Sequence, residues 1–298
     1  MNWFSSLWTA AHRYLTRPWS RIAAGLGAIA LVLSLLVPAH ANTIQISPTA
    51  PQLGETVAVI IPTTSDIPPI VTMDGTSYSA FPLDASRYRA LIPTTPLDQP
   101  GRKTIQVTSE GETRQFAITL RNRSFPTQRI WVRGGGSGGS EVEMRRVREF
   151  RQLVTPHKFW QGAFARPADG RVTSVYGVRR YYNGVFADDY YHRGVDYAGP
   201  TGSRVLSPAA GRVVLVGRES QGFRLHGNTI GIDHGQGVLS IFIHLNRIDV
   251  QEGDLVQRGQ VIGGIGATGS ATGPNLHWGL YVNGKAVDPE QWRAGDFG

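Results

Sequence analysis

The sequence predicts an all-β protein: an N-terminal immunoglobulin-like sandwich, a second and larger β body, and one short helix bridging them. Three observations predict it. Short runs alternate polar and apolar residues with period two, as strands with one buried face do. The 298 residues include 36 glycines, and glycine-bearing turns punctuate the runs about every 8 to 12 residues. Helical periodicity is confined to one stretch, residues 141–154. At this length two domains are the prior expectation.

Residues 1–41 read as a signal peptide. Arg13, Arg17 and Arg21 make the start positive without any acid, residues 22–37 are uncharged and apolar, and Ala39-His40-Ala41 is a small-x-small cleavage site. The apolar run is shorter than the roughly 20 residues that span a bilayer. Cleavage is therefore favoured over a retained anchor, and a membrane is a partner only if the segment stays. In either case the body is expected outside the cytoplasm, in the periplasm or cell envelope. Without this segment, 27 of the 30 Lys and Arg remain against 22 Asp and Glu, a net charge of +5 instead of +8. That balance suits an anionic wall surface as well as plain solubility. No basic stripe interleaved with aromatics is present, so nucleic acid is not an expected partner.

Residues 42–125 carry the strands of the sandwich. Residues 43–47 alternate, residues 57–61 are a buried-type run, and residues 71–73 lead into Asp74-Gly75, a hairpin turn signal. Residues 104–108 alternate again, Glu110-Gly111 turns the chain, and residues 114–120 return. About seven strands at this spacing fit a small immunoglobulin-like sandwich. Residues 126–160 form a linker and helix. Residues 134–140 are glycine and serine, Ser140 is placed to N-cap the helix with Glu141 and Glu143 near its positive end, and Arg145, Arg146, Arg148 and Arg151 read as a solvated face.

From 161 to 298 the chain is β again, and this part holds the chemistry. His192 and Asp196, in Tyr191-His192-Arg193-Gly194-Val195-Asp196-Tyr197, stand with His277, in Pro274-Asn275-Leu276-His277-Trp278-Gly279. Two imidazoles and one carboxylate are the ligand types of a zinc site that keeps a position open. With no cysteine in the chain, histidine and carboxylate must hold any metal, and disulfides are excluded. His192 and Asp196 would lie about 13 Å apart on a straight strand, so a bend or bulge is expected near Gly194. Asn275 and His277, two apart on a strand, face the same way. His244, alone in a β-branched run, reads by itself as a half-buried satisfied histidine. His234 reads as a strand-end residue ordering a turn, and His157 and His226 as loop histidines. Tyr190, Tyr191 and Trp278 either wall a groove or pack.

Residues 252–262 look like the hammerhead hairpin of biotinyl or lipoyl carriers, but no lysine lies between Lys158 and Lys285 to carry a cofactor. Residues 263–269 are glycine-rich without a strand-to-helix context, which argues for a groove-lining loop over a phosphate cradle.

Taken in order, the segments Arg171-Val172-Thr173-Ser174-Val175-Tyr176-Gly177, His192-Arg193-Gly194-Val195-Asp196, Gly227-Asn228-Thr229-Ile230, Asp233-His234-Gly235-Gln236-Gly237, Ile243-His244-Leu245 and Gly273-Pro274-Asn275-Leu276-His277-Trp278 resemble the lysostaphin-like (LytM-type) zinc metalloendopeptidases. The resemblance covers residues 164–292. It implies an open β-sheet groove of the duplicated hybrid motif type, Zn2+ held by His192, Asp196 and His277, and His244 as a catalytic histidine. It implies hydrolysis of peptide bonds in peptidoglycan stems or cross-bridges. One position departs from the family pattern. The first histidine of its His-x-His motif is Asn275 here, and an amide donates a hydrogen bond but takes up no proton near neutral pH. The alternative is therefore a catalytically impaired regulator or wall-binding protein, with an amidase or the cell-wall division machinery as its partner.

Overall fold

The computed structural model describes residues 43–131, 138–295 and 297. The export-signal reading and residues 134–137 of the linker lie outside the described residues. The N-terminal strands are β1 (Gln45–Ser47), β2 (Thr56–Pro62), β3 (Ile70–Met73), β4 (Thr76–Asp84), β5 (Arg87–Pro93), β6 (Gly101–Ser109) and β7 (Glu112–Leu120). They pair in the order β1-β2-β5-β4-β3-β6-β7, every pair antiparallel. The first half of β4 pairs with β3 and the second half with β5, so the path folds around one core. Val57, Val59, Ile61, Val71, Ile92, Ile105 and Ile118 fill that core from both halves. The turn signals hold: Asp74-Gly75 and Glu110-Gly111 each have positive φ at both positions, the geometry that matches strand twist in a two-residue hairpin. β4 and β5 are the two strands not separately legible in the sequence.

The chain continues through β8 (Thr127–Ile130) and helix α1 (Glu141–Arg151), shorter at its end than the predicted 141–154. Then follow β9 (Arg171–Ser174), β10 (Arg179–Tyr182), β11 (Val185–Phe186), β12 (Val195–Ala198), β13 (Arg204–Leu206), β14 (Gly211–Gly217), β15 (Asn228–Gly235) and β16 (Val238–Ile248). The last elements are β17 (Leu255–Val256), β18 (Val261–Ile265), β19 (Asn275–Val282), β20 (Lys285–Val287) and the short helix α2 (Pro289–Ala294), N-capped by Asp288. The large curled sheet runs β17-β14-β15-β16-β19-β12-β9, with β18 on β16 and β20 on β19. A small sheet, β11-β10-β8, stands beside it.

The described residues form one compact unit. Its two β bodies are joined by specific contacts. Buried Arg89 donates to Gln236 Oε1 at 2.6 Å, Thr56 and Gln291 exchange two hydrogen bonds, and Arg123 pairs with Asp288 at 2.6 Å. Arg146, predicted to lie on a solvated face, instead donates to the Val216 carbonyl at 3.0 Å and pairs with Glu252.

Candidate metal centre and active site

Strand alternation builds the site. In β12, Val195 and Tyr197 are buried while Asp196 and Ala198 turn to the other face. In β19, Leu276 and Trp278 are buried while Asn275 and His277 turn outward. The β12–β19 register sets Asp196 directly opposite His277. His192 lies in the segment before β12 and is strapped by two backbone bonds, its N–H to the Val178 carbonyl at 2.9 Å and its carbonyl from Gly177 N–H at 2.8 Å. The chain bends at Gly194, as predicted. A Cβ there would come within 2.2 Å of the Trp278 carbonyl oxygen and 2.8 Å of His277 Nε2, so only glycine lets β12 close on β19 here. A further irregularity falls between Asp196 and Tyr197.

These elements bring three atoms together. His277 Nδ1 is 2.8 Å from Asp196 Oδ1, His192 Nε2 is 3.0 Å from His277 Nδ1, and His192 Nε2 is 3.1 Å from Asp196 Oδ1. The other nitrogen of His192, Nδ1, donates to the Val175 carbonyl at 2.8 Å, which leaves Nε2 as a lone pair in the neutral ring. A proton on His277 Nδ1 can bridge to Asp196, yet His192 Nε2 then still faces the carboxylate oxygen, acceptor against acceptor. One divalent cation satisfies all three. Burial by itself would raise the Asp196 carboxyl; the two imidazoles beside it reverse this and hold it well below the ordinary carboxylate range. Burial lowers His277, and Asp196 opposes the shift. These directions favour an ionised Asp196 and a neutral His277 ring, the forms that a cation requires. Among the described residues this is the cluster of His, Asp and Glu whose ligand atoms converge so closely.

His244 sits on β16 in a left-handed conformation, φ 67°, where two residues of β16 (Ile243 and His244) oppose the single Thr229 of β15. Such a bulge re-aims a side chain. Ile243 pairs with His277, which puts His244 beside the triad. Its Nδ1 donates to the Thr268 carbonyl at 2.9 Å. Burial and the neighbouring His277 push it down to about 4, so it is neutral at pH 7 with Nε2 unprotonated. Asn275 shares the groove face of β19 with His277, and its Nδ2 donates to the Gly273 carbonyl at 2.7 Å.

Several groups behind the site carry no local sequence signal. His234 is the next-to-last residue of β15, at a strand end as expected. It is fully buried, donates from Nδ1 to the Ala210 carbonyl at 2.8 Å and accepts at Nε2 from Ser240 Oγ at 2.9 Å. Ser240 in turn accepts from Trp278 Nε1 at 3.2 Å, so this chain orients the neighbour of His277. Trp278 and Tyr191 are core residues, and of the three aromatics only Tyr190 is half-buried. Glu143, fully buried on α1, accepts from Arg224, Leu225 and His226 backbone N–H groups and from His226 Nδ1 at 2.6 Å. The His226 carbonyl accepts the His244 N–H at 2.9 Å. The Ser140-x-x-Glu143 spacing is the capping-box signal, and the box forms. That the same carboxylate also anchors residues 224–226 is a tertiary fact. His226 and His157 are outside the ligand triad.

Residues 190–289 match the sequence profile described as Peptidase family M23. Over 119 residues the chain is 36% identical to DD-carboxypeptidase/endopeptidase Mpg of Neisseria meningitidis, covering 40% of this chain and 26% of that protein. It is 37% identical over 131 residues to peptidoglycan DD-endopeptidase ShyA of Vibrio cholerae, covering 43% and 29%. It is 32% identical over 135 residues to murein hydrolase activator NlpD of Escherichia coli, covering 45% and 31%. The chain thus spans under a third of the length of these curated relatives. A crystal structure of a Pseudomonas aeruginosa protein described as an M23 peptidase is similar over 84% of this chain and 96% of its own, with TM-score 0.61 and 25% identity.

Proposed function

We propose, from the match of residues 190–289 to peptidase family M23, that the chain is a zinc-dependent endopeptidase that hydrolyses peptide bonds in peptidoglycan stems or cross-bridges. The observation that carries the reading is the convergence of His192 Nε2, His277 Nδ1 and Asp196 Oδ1. The set is one carboxylate and two imidazoles with no thiolate, three ligands where a closed structural zinc site has four. Zinc held there supplies Lewis-acid polarisation of water and of the scissile carbonyl.

The chain's own residues do the rest. The Val175 carbonyl fixes the His192 tautomer so that Nε2 faces the site. The His234–Ser240–Trp278 chain holds the strand that carries His277. His244, locked by the Thr268 carbonyl at Nδ1, presents Nε2 as the atom that takes up and returns a proton. Asn275 holds no proton for transfer. Its amide contributes a neutral donor, which leaves His244 as the proton-handling side chain of the groove. Residues 1–41 support export to the periplasm or cell envelope. The strand order β1-β2-β5-β4 with β3-β6-β7 supports reading residues 42–125 as an immunoglobulin-like domain of the constant type.

A second reading has one specific observation in its favour. Asn275 stands where a second proton-handling imidazole would sit, and this suits a wall-binding regulator that activates a separate amidase. Purified murein incubated with the wild type, His192→Ala and Asn275→His separates the two. New amino termini released by the wild type and not by His192→Ala support the peptidase. Release by Asn275→His alone rejects it in favour of the regulator.

A further inference from the structure

Beside the ligand triad, two guanidinium groups converge on one ring. The Cζ atoms of Arg180, on β10, and Arg193, the residue after His192, lie 5.5 and 5.6 Å from the Tyr190 ring centroid. Arg180 donates to Tyr190 Oη at 3.0 Å, Tyr182 Oη at 3.5 Å and Gln128 Oε1 at 3.1 Å, all neutral acceptors. Arg193 makes only ring contacts among the described residues, to Tyr190 and, at 5.8 Å, to Tyr191. Among the described residues neither pairs with a carboxylate. Asp188 and Asp189, exposed in the same loop, form no ion pair with them.

Both arginines are half-buried. Holding two like charges partly out of water against one ring carries a desolvation and repulsion cost that no carboxylate in contact with them offsets. An arriving anion removes that cost, and the guanidinium fork matches a carboxylate. The backbone ties both groups to the candidate metal centre. Val178, two residues before Arg180, holds the His192 N–H, and Arg193 follows His192 directly.

We propose that Arg180 and Arg193, with Tyr190 and Tyr182, form a carboxylate-binding subsite flanking the His192/Asp196/His277 centre, and that it selects peptides bearing a free carboxylate near the bond to be cut. This rests on the peptidase reading and names its substrate class: anionic stem peptides in preference to their amidated counterparts. Arg180 and Arg193 are specificity-determining residues in this scheme and take no part in bond cleavage.

The test uses the full chain and a pair of synthetic cross-linked stem peptides, one with free α-carboxylates and its carboxamide twin. The wild type should cut the carboxylate form with a kcat/KM about tenfold or more above its twin, the scale of a charge-assisted hydrogen bond. Arg180→Gln and Arg193→Gln should collapse that ratio toward one, chiefly through KM, while Arg180→Lys keeps part of it. Among the described residues the Arg193 side chain makes no hydrogen bond, so its variant should fold even if Arg180→Gln does not. Equal cleavage of the twins by the wild type, or an undiminished ratio in Arg193→Gln, overturns the subsite. If the wild type cuts neither twin, the peptidase reading fails instead, and calorimetric binding of the two peptides decides. Tighter binding of the carboxylate form that Arg193→Gln abolishes supports the subsite, and equal affinity or no binding overturns it.

Discussion

His192 Nε2 lies 3.0 Å from His277 Nδ1 although 85 residues separate them in the chain. The Val175 carbonyl commits the far side of the His192 ring, so the near side is a lone pair aimed into a space that Asp196 shares. The three ligand atoms therefore converge on one point through protein contacts alone.

Removing any of the three groups should abolish stoichiometric zinc binding. We expect the wild type to bind one zinc per chain and to gain thermal stability from it. His192→Ala, Asp196→Ala and His277→Ala should each bind at least about tenfold more weakly and lose the zinc-dependent rise in Tm. Metal analysis after dialysis, with melting curves in chelator and in zinc, checks this. Retained zinc in all three variants would reject the assignment.

Asn275→His should restore a proton-handling group on the groove face of β19. General acid–base groups contribute on the order of 100- to 10,000-fold, and a gain in kcat toward the lower end is expected with little change in KM. Steady-state kinetics on a defined cross-linked peptide measures it.

Glu143→Gln should destabilise the whole unit. The carboxylate accepts four hydrogen bonds from residues 224–226. Burial opposes its ionisation, but the His226 bonds and the backbone donors prevail and hold it down to about 2. Its contribution is complete above the unfolded value near 4.5 and is lost as pH falls through that value toward 2. The amide keeps one acceptor but presents an N–H to donors, a loss of about 3 kcal/mol. Denaturant unfolding at pH 7 and pH 3 reads both effects, and the difference between wild type and variant should shrink at the lower pH.

His234 should make stability fall in mild acid. Burial pushes it down from 6.5 to about 4. Between those values the unfolded chain binds a proton that the native ring refuses, so stability rises with pH across the window and is level above it. The full drop from pH 7 to pH 4 is about 3 kcal/mol for this group. Urea titrations of metal-free protein should show a shallower pH slope for His234→Gln than for the wild type. An identical slope would contradict the assignment.

Gly194→Ala should be among the most damaging single-methyl changes in the chain. The added Cβ meets the Trp278 carbonyl oxygen at 2.2 Å, which forces β12 away from β19 and parts Asp196 from His277. A loss of more than about 2 kcal/mol, with loss of zinc affinity, is expected. A control is Gly253→Ala, where no atom crowds the new Cβ but the positive φ of 99° costs a smaller amount.

What the amino-acid order determined was local. Period-two runs, the Asp74-Gly75 and Glu110-Gly111 turns, the Ser140 cap and the residue types of the motif segments depend on neighbours a few positions away. The all-β class and the candidate ligands were legible for that reason. Pairing across distance was not. The Asp196–His277 register, the bulge that turns His244 toward the groove, the burial of His234 beneath Trp278, and the anchoring of residues 224–226 by Glu143 each join positions far apart in the chain, or depend on which face the sheet closes over. Only tertiary structure decides these, because a side chain's solvation and partners are set by whatever the folded sheet brings beside it. Arg180 and Arg193 show the difference most plainly: in the sequence they are two ordinary cations, and in the fold they share one ring with no carboxylate between them.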